Sequence, residues 1–237
     1  MHVAWLLGGV GAVMVGLEAG WPRRATRPDT SWRLRALALS LVQVAVAYAG
    51  GVVLDPWLQG LRLWSAAGLG LVGGTVWGYL GVTLLWYWWH RARHEVPFLW
   101  RTLHQVHHSP TRLELLTTYY KHPLECVTNV VLGGAALYGV LGLTPGQAAA
   151  VTALCGLAEF FYHWNVATPR WLGWFIQRPE SHCVHHEAGR HASNYADLPL
   201  WDWLFGTLEN PVNDRAVCGF GDDEERLVEM LQGKVVP

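Results

Sequence analysis

The feature that most constrains this chain is a series of long segments without a charged residue. Residues 63–89 contain no Asp, Glu, Lys or Arg over 27 positions, which corresponds to about 40 Å of α-helix at 1.5 Å per residue. The hydrocarbon core of a bilayer is about 30 Å thick, so this helix should cross it and protrude. Charged residues make up 15% of the chain, against about 25% in soluble domains. The sequence therefore predicts an integral membrane protein.

Four further apolar segments complete a predicted helical bundle. The chain contains no internal repeat or low-complexity linker, so residues 1–237 are expected to form one membrane domain. A Thr-Pro-Gly break separates the last two segments, and a re-entrant hairpin there would give four spans instead of five. The expected spans lie near residues 3–20, 36–54, 63–89, 126–143 and 146–163.

The loop between the first two spans predicts the orientation. It contains five arginines and one aspartate, and basic loops preferentially remain in the cytoplasm. Counting spans from this loop places residues 90–125 and everything after residue 163 on the cytoplasmic side as well. We therefore predict an all-α, integral-membrane helical bundle with a cytoplasmic histidine-rich helical cap. The arginines are Arg23, Arg24, Arg27, Arg33 and Arg35.

Histidine is concentrated in these same two segments. Nine of the 12 histidines fall within residues 90–108 and 182–191, and eight of these nine form the patterns HRARH (90–94), HQVHH (104–108) and HCVHH (182–186). Spacings of three and four residues place imidazoles on one face of a helix. Each cluster can therefore supply one metal ion, or divide its imidazoles between two adjacent ions.

The number and type of donors indicate which metal is expected. The three patterns offer eight imidazoles, too many for one four- to six-coordinate ion but suitable for two. Imidazole binds iron and zinc well, and the four cysteines form no CxxC pair that would compete. Zinc cannot activate oxygen by redox chemistry, whereas iron can. We expect two iron ions (Fe²⁺/Fe³⁺), with zinc as a possible substitute in purified material.

The order and spacing of the motifs resemble the fatty acid hydroxylase/sterol desaturase superfamily, over about residues 85–208. The resemblance implies a membrane-bound non-haem di-iron oxygenase that hydroxylates or desaturates a sterol-like, fatty-acyl or sphingoid lipid with O₂ and external electrons. The matching segments are HRARH (90–94), HQVHHS (104–109), KHPLE (121–125), FYHWN (161–165), HCVHH (182–186) and NYADLPLWDWLFGT (194–207).

The resemblance also implies the metal ligands. His122 and His191 are further candidates, each with an alternative as an ordinary polar residue. Glu159, four residues before His163, could bind metal or orient an imidazole, with an ordinary interfacial carboxylate as the alternative. Asn194 and Asp202 are expected to support the ligands by hydrogen bonding or to lock the fold. The expected ligands are His90, His94, His104, His107, His108, His163, His182, His185 and His186.

Partners and alternatives follow from what the sequence lacks. A net charge of −1 gives no basic field for nucleic acid. No segment resembles a flavin or cytochrome b5 domain, so a separate ferredoxin or cytochrome b5 type carrier is expected to donate electrons. A histidine-rich membrane metal transporter or metal-binding protein is the alternative, and it predicts ligands at mid-membrane depth. A haem carrier needs one axial histidine pair per haem, which these clusters exceed.

Overall fold

The computed structural model describes residues 2–26, 29–190, 192–212 and 216–236. Within these residues the regular secondary structure is helical, and the one β contact is an isolated antiparallel bridge between Glu187 and Cys218. The expected all-α fold is confirmed for this part of the chain. His191, a candidate ligand, lies outside the described residues.

Five long helices form the bundle, and shorter helices form the end that carries the histidines. Tight 3₁₀ turns at Leu115–Tyr119, Arg170–Trp174 and Gly221–Glu225 connect some of them. In chain order the helices are α1 (His2–Gly20), α2 (Thr30–Gly60), α3 (Ala66–Glu95), α4 (residues 97–108), α5 (Pro123–Val140), α6 (Pro145–His163), α7 (Pro179–His185), α8 (Pro199–Leu204) and α9 (Leu227–Leu231).

Capping residues explain where several of these helices begin. The Asp29 side chain accepts a hydrogen bond from the backbone N–H of Trp32 at 3.0 Å, which caps α2. Thr144 and Gln147 form a capping box at the start of α6. The helix expected at residues 63–89 begins three residues later, because residues 61–65 form a turn, and it runs on to Glu95. The HRARH segment therefore continues α3.

Glycines allow the central helices to approach closely. Helix α3 packs against α6, α2 packs against α5, and α1 packs against α6. A Cβ atom at Gly74 on α3 would lie 2.0 Å from Nε2 of Gln147, which donates to the carbonyls of Ala66 and Gly70. A larger residue at this position would displace that side chain. The glycine thus lets a polar residue on α6 satisfy the first carbonyls of α3.

Apolar side chains on the outside of the bundle indicate a lipid environment. Three helices in the described part of the chain, α2, α3 and α5, are long and apolar enough to cross a bilayer. Only 11% of the most apolar 18-residue stretch of α2 is buried. Leu41 and Val53 on this helix are 70% and 74% exposed. Such a surface suits contact with lipid. Helices α1 and α6 are not among the three, so the five spans remain a prediction.

The histidine segments lie at one end of the bundle with the arginine-rich loop. Arg24 Nη1 donates to the carbonyl of Ala216 at 2.7 Å, and Arg23 lies 4.0 Å from Glu180 on α7. The C-terminal segment, residues 216–236, packs against the same end. Gln105 on α4 donates to the carbonyl of Lys234 at 2.7 Å. Segments far apart in sequence therefore enclose the histidines.

Candidate metal centre

The structure brings all nine of the expected ligands together, in two groups. In each group one ligand atom per residue lies within 4.8 Å of all the others. The first, here called the five-histidine group, consists of His90, His94, His104, His108 and His185. The second, the four-histidine group, consists of His107, His163, His182 and His186.

Helical spacing explains how each motif is divided. In both HxxHH segments the first and last histidines, four residues apart, enter one group, and the middle histidine enters the other. His104 and His108 belong to the five-histidine group, and His107 belongs to the four-histidine group. The HCVHH segment does the reverse, because its middle histidine, His185, joins the five-histidine group. The sequence left this division open, and the structure shows that each segment serves both groups.

The spacing of the ring nitrogens fits a shared ion. The Nε2 atoms of His90 and His104 are 3.0 Å apart, and Nε2 of His182 lies 3.1 Å from Nε2 of both His163 and His186. An imidazole nitrogen binds a divalent ion such as Zn²⁺ at about 2.1 Å. Two such ligands are then about 3.0 Å apart at a right angle and about 3.4 Å apart in a tetrahedron. Within each group, the nitrogens therefore have the spacing expected of ligands to one ion.

The imidazoles are held neutral by their surroundings. Burial, followed by the neighbouring histidines, lowers the pKa of His107 and of His182 well below the usual value. A metal ion requires the neutral ring, since protonation occupies the ligand nitrogen. The donor set is therefore chemically suited to a metal ion.

Backbone carbonyls fix the orientation of four ligands. In each case Nδ1–H donates to a carbonyl oxygen, which sets the tautomer and leaves Nε2 to face the group. Sequence analysis had no signal for these contacts, because every residue carries a carbonyl. The pairs are His90 with Tyr195 (2.7 Å), His185 with Ser193 (2.6 Å), His163 with Glu159 (2.9 Å) and His107 with Tyr120 (3.3 Å).

A carboxylate orients a fifth histidine, and no sequence pattern indicated a role for it. His104 Nδ1 donates to Glu125 Oε1 at 3.0 Å, and the same oxygen forms a buried ion pair with Arg93. Glu125 is fully buried and ends the KHPLE motif. A carboxylate in this position increases the basicity of the imidazole. The buried charge is itself balanced by the guanidinium.

The two groups lie side by side, with rings of one group against rings of the other. The rings of His108, in the five-histidine group, and His186, in the four-histidine group, are stacked with centroids 4.1 Å apart and an interplanar angle of 15°. The rings of His104 and His107 lie 5.3 Å apart. The arrangement therefore offers two neighbouring metal positions.

Two expected contributors have other roles. His122 belongs to neither group. Its Nδ1 accepts from the backbone N–H of Leu124 at 3.0 Å and its Nε2 donates to the carbonyl of Leu231 at 3.2 Å, so it caps α5. The Glu159 carboxylate pairs with Lys121. Glu159 orients His163 through its backbone carbonyl and not through its side chain.

Asp202 and Asn194 stabilise the loop that supplies two of the orienting carbonyls. Asp202 accepts from the backbone N–H groups of Tyr195 (2.8 Å) and Ala196 (2.9 Å) and from the hydroxyl of Thr207 (2.7 Å). Asn194 has a positive φ of 51° and donates to the carbonyl of Ser181 at 2.9 Å. Both residues act on the histidines through the backbone at residues 193–195.

A cavity of about 360 Å³ reaches the metal centre from inside the bundle. This volume lies within the range of small-molecule sites. Histidines of both groups form one part of its wall, and apolar residues of α1, α2, α3, α5 and α6 form much of the rest. The histidines that line it are His90, His104, His107 and His182.

Comparison with known proteins identifies the family. A model of the fatty acid hydroxylase family matches residues 75–207, more than half of the chain and every member of the two histidine groups. The chain belongs to the fatty acid hydroxylase family. The resemblance found in the motifs is therefore confirmed.

The names of its relatives in the fatty acid hydroxylase family describe several activities. Human alkylglycerol monooxygenase is 33% identical over 60% of this chain and 32% of its own length. The fatty acid hydroxylase vlmA of Lecanicillium sp is 28% identical over 81% of this chain and 57% of its own length. The Δ7-sterol-C5(6)-desaturase of Nicotiana tabacum is 29% identical over 55% of this chain and 47% of its own length. The match thus spans about a third of the alkylglycerol monooxygenase and about half of the others. No solved structure matches.

Proposed function

We propose that this chain is a membrane-bound non-haem di-iron oxygenase that hydroxylates or desaturates a lipid, sterol-like, fatty-acyl or sphingoid, with O₂ and external electrons. The observation that carries the proposal is the pair of adjoining histidine groups whose ring nitrogens converge. The names of the relatives, which include a monooxygenase, a hydroxylase and a desaturase, support this class of reaction.

The two groups would each hold one iron ion. Neutral imidazole is a suitable donor for iron, and the two groups consist of histidine alone. Iron bound there supplies the redox chemistry by which O₂ oxidises an unactivated C–H bond. Zinc fits the same nitrogens but supplies no redox chemistry. We therefore assign iron to the active protein and zinc to substituted material.

The residues of this chain contribute position and exclusion of water. Carbonyl groups and Glu125 set the tautomer and the orientation of individual imidazole rings. Burial of the histidines keeps bulk water away from the reacting centre. The cavity inside the bundle would hold the lipid so that one carbon faces the histidines.

We place the active site on the cytoplasmic side, with electrons supplied by a ferredoxin or cytochrome b5 type protein. Support for the side comes from the contacts of Arg23 and Arg24 with Glu180 and Ala216, since basic loops favour the cytoplasm.

Metal analysis of the purified protein tests the proposal. We expect two iron ions per chain and no Soret band, and we expect lipid oxidation only when O₂ and an electron donor are both present. His122→Asn is the matched control, because Asn also caps helices and should leave the iron content unchanged. A readily exchangeable metal without lipid oxidation would favour the transporter. A Soret band would indicate a haem protein.

A further inference from the structure

Four side chains that belong to neither histidine group form a polar cluster on the wall of the cavity. The Lys121 ammonium pairs with Glu159, and the Tyr162 hydroxyl donates to Asp197 Oδ1 at 3.0 Å. All four line the cavity, here called the lipid cavity. Burying such groups inside a membrane bundle is costly, so their presence calls for a function. The polar cluster consists of Lys121, Glu159, Tyr162 and Asp197.

The polar cluster adjoins the four-histidine group. The ring of Tyr162 lies 4.4 Å from that of His182 and 4.9 Å from that of His163, measured between centroids. Lys121 directly follows Tyr120, whose carbonyl accepts from His107. A polar part of a ligand that bound the cluster would therefore lie next to the imidazoles.

The charges of the polar cluster select the kind of head group. One ammonium faces one carboxylate, and a second carboxylate, that of Asp197, lies nearby. Each carboxylate has two oxygens, so both can accept hydrogen bonds beyond those already made. Burial, and then the nearby Glu159, raises the pKa of Asp197 to about 7, which indicates that a further negative charge is unfavourable here. A hydroxyl group can donate to these oxygens, whereas a free fatty acid would bring a third carboxylate.

Much of the remaining wall is apolar and suits a hydrocarbon chain, although Arg93, Glu125, Asn129 and Thr152 also line it. Two other polar side chains, Gln43 and Asp55, line the lipid cavity from α2, and Asp55 accepts from the hydroxyl of Tyr138 at 3.4 Å. Gln43 lines the same cavity but does not belong to the polar cluster, so a change at Gln43 can serve as a control for changes in the cluster. The apolar lining includes Leu7, Ala47, Val82, Val130, Leu137 and Val151.

We propose that the polar cluster binds the head group of a lipid with a neutral, hydroxylated head, and that the oxidised carbon lies within a few bonds of that head. The inference rests on the proposed function, because it assigns the end of the lipid that faces the histidines. It excludes free fatty acids as preferred substrates and oxidation in the middle of the chain.

Binding of three lipids with the same chain length tests the head-group assignment. The probes are 1-hexadecanol, hexadecanoate and hexadecane, competed against radiolabelled 1-hexadecanol on the purified full chain. We expect 1-hexadecanol to bind about tenfold more tightly than the other two, as for one hydrogen bond to a charged group. Equal or tighter binding of hexadecanoate or hexadecane would overturn the proposal.

Variants locate the head group within the lipid cavity. Asp197→Leu removes the acceptor, and Asp197→Asn is a milder change if the first variant does not fold. Asp197→Leu should reduce the preference for 1-hexadecanol about tenfold, and Asp197→Asn, whose amide oxygen still accepts a hydrogen bond, should reduce it less; neither should change the iron content. Gln43→Leu should leave the preference intact. If Gln43→Leu abolishes the preference and Asp197→Leu does not, the head group lies beside α2 and the proposal is wrong.

Two further readouts separate this inference from the proposed function. Iron content and donor-dependent O₂ consumption test the oxygenase itself, whereas lipid binding can be measured on the metal-free chain. A protein that holds iron and oxidises lipid but does not prefer 1-hexadecanol contradicts only the inference made here. Mass spectrometry of the product should place the new oxygen or double bond near the hydroxyl end, and a mid-chain product would overturn the second part of the proposal.

Discussion

The five-histidine group and the four-histidine group use the same side chain but differ in what holds it. In the five-histidine group, His104 donates to the buried carboxylate of Glu125, which also pairs with Arg93. In the four-histidine group, His107 and His163 donate to backbone carbonyls. A carboxylate partner strengthens an imidazole ligand more than a carbonyl does. We therefore expect tighter metal binding in the five-histidine group.

The number of donors points in the same direction. Five imidazoles leave little of an octahedral coordination sphere, whereas four leave more of it for other ligands. The four-histidine group is also the one beside the polar cluster. We therefore expect the five-histidine group mainly to retain its ion and the four-histidine group to leave more coordination positions for other ligands.

Removing a ligand should have the largest effect. His107→Ala and His185→Ala each delete one imidazole, from the four-histidine and the five-histidine group respectively. Changes to groups that merely orient ligands cost about 10–100-fold, so we expect each variant to lose more than about 100-fold in turnover and at least one iron ion. Elemental analysis and lipid product formation provide the measurements. A variant that retained both ions and full turnover would contradict the ligand assignment.

Glu125→Gln tests the difference between the groups directly. The amide keeps the shape but weakens the contact with His104 and leaves Arg93 without its buried counter-charge. We expect the tighter of the two metal-binding steps to weaken by about 10–100-fold, measured by competition with a chelator. Glu95→Gln is the control, because Glu95 pairs with Arg91 on an exposed face. Equal weakening in both variants would remove the basis of the comparison.

Asp202→Ala should act on the five-histidine group through the backbone. Three donors lose their acceptor, and the loop that orients His90 through Tyr195 loses its anchor. We expect the free energy of unfolding to fall by about 1–3 kcal/mol, measured by denaturant titration in detergent. Asp223→Ala, which removes an exposed partner of Arg226, provides the control. Identical losses would show that Asp202 has no special anchoring role.

The smallest expected effect is a pH dependence on the side of the four-histidine group. The folded-state pKa of Asp197, about 7, lies above the value of 3.8 for an unperturbed Asp, so folding favours its neutral form. The stability this contributes is present below about pH 4 and is lost as the pH rises through 7. Asp197→Asn remains neutral, so its melting temperature relative to wild type should rise between pH 5 and pH 8. A constant difference would show that Asp197 does not titrate in this range.

The positions of the histidines could be predicted from the sequence because helical spacing fixes them. The four-residue spacing of His90 and His94 places both on one face, and the uncharged run before them predicts the helix that carries them. The number of imidazoles indicated two ions. The structure brings together all nine of the histidines that were expected as ligands, and it leaves the further candidate His122 outside both groups. Whether they bind iron remains a prediction.

The division between the groups, and the contacts that orient the rings, could not be predicted. They depend on how α4 and α7 face each other, and no local pattern records that packing. Glu125 contacts a histidine 21 residues away. His122 shows the opposite case: it lies next to Pro123 at a helix start, and its spacing could not distinguish a capping residue from a ligand. The C-terminal segment gave no sign that it would pack against Gln105.

The sharing of each HxxHH segment between the two groups has a consequence for metal uptake. Residues 104–108 and 182–186 each present imidazoles to both positions, so binding of the first ion should fix the rotation of two helices at once. The second ion then meets donors that are already ordered and loses less conformational entropy on binding. Filling the tighter five-histidine group first should therefore raise the affinity of the four-histidine group for the second ion.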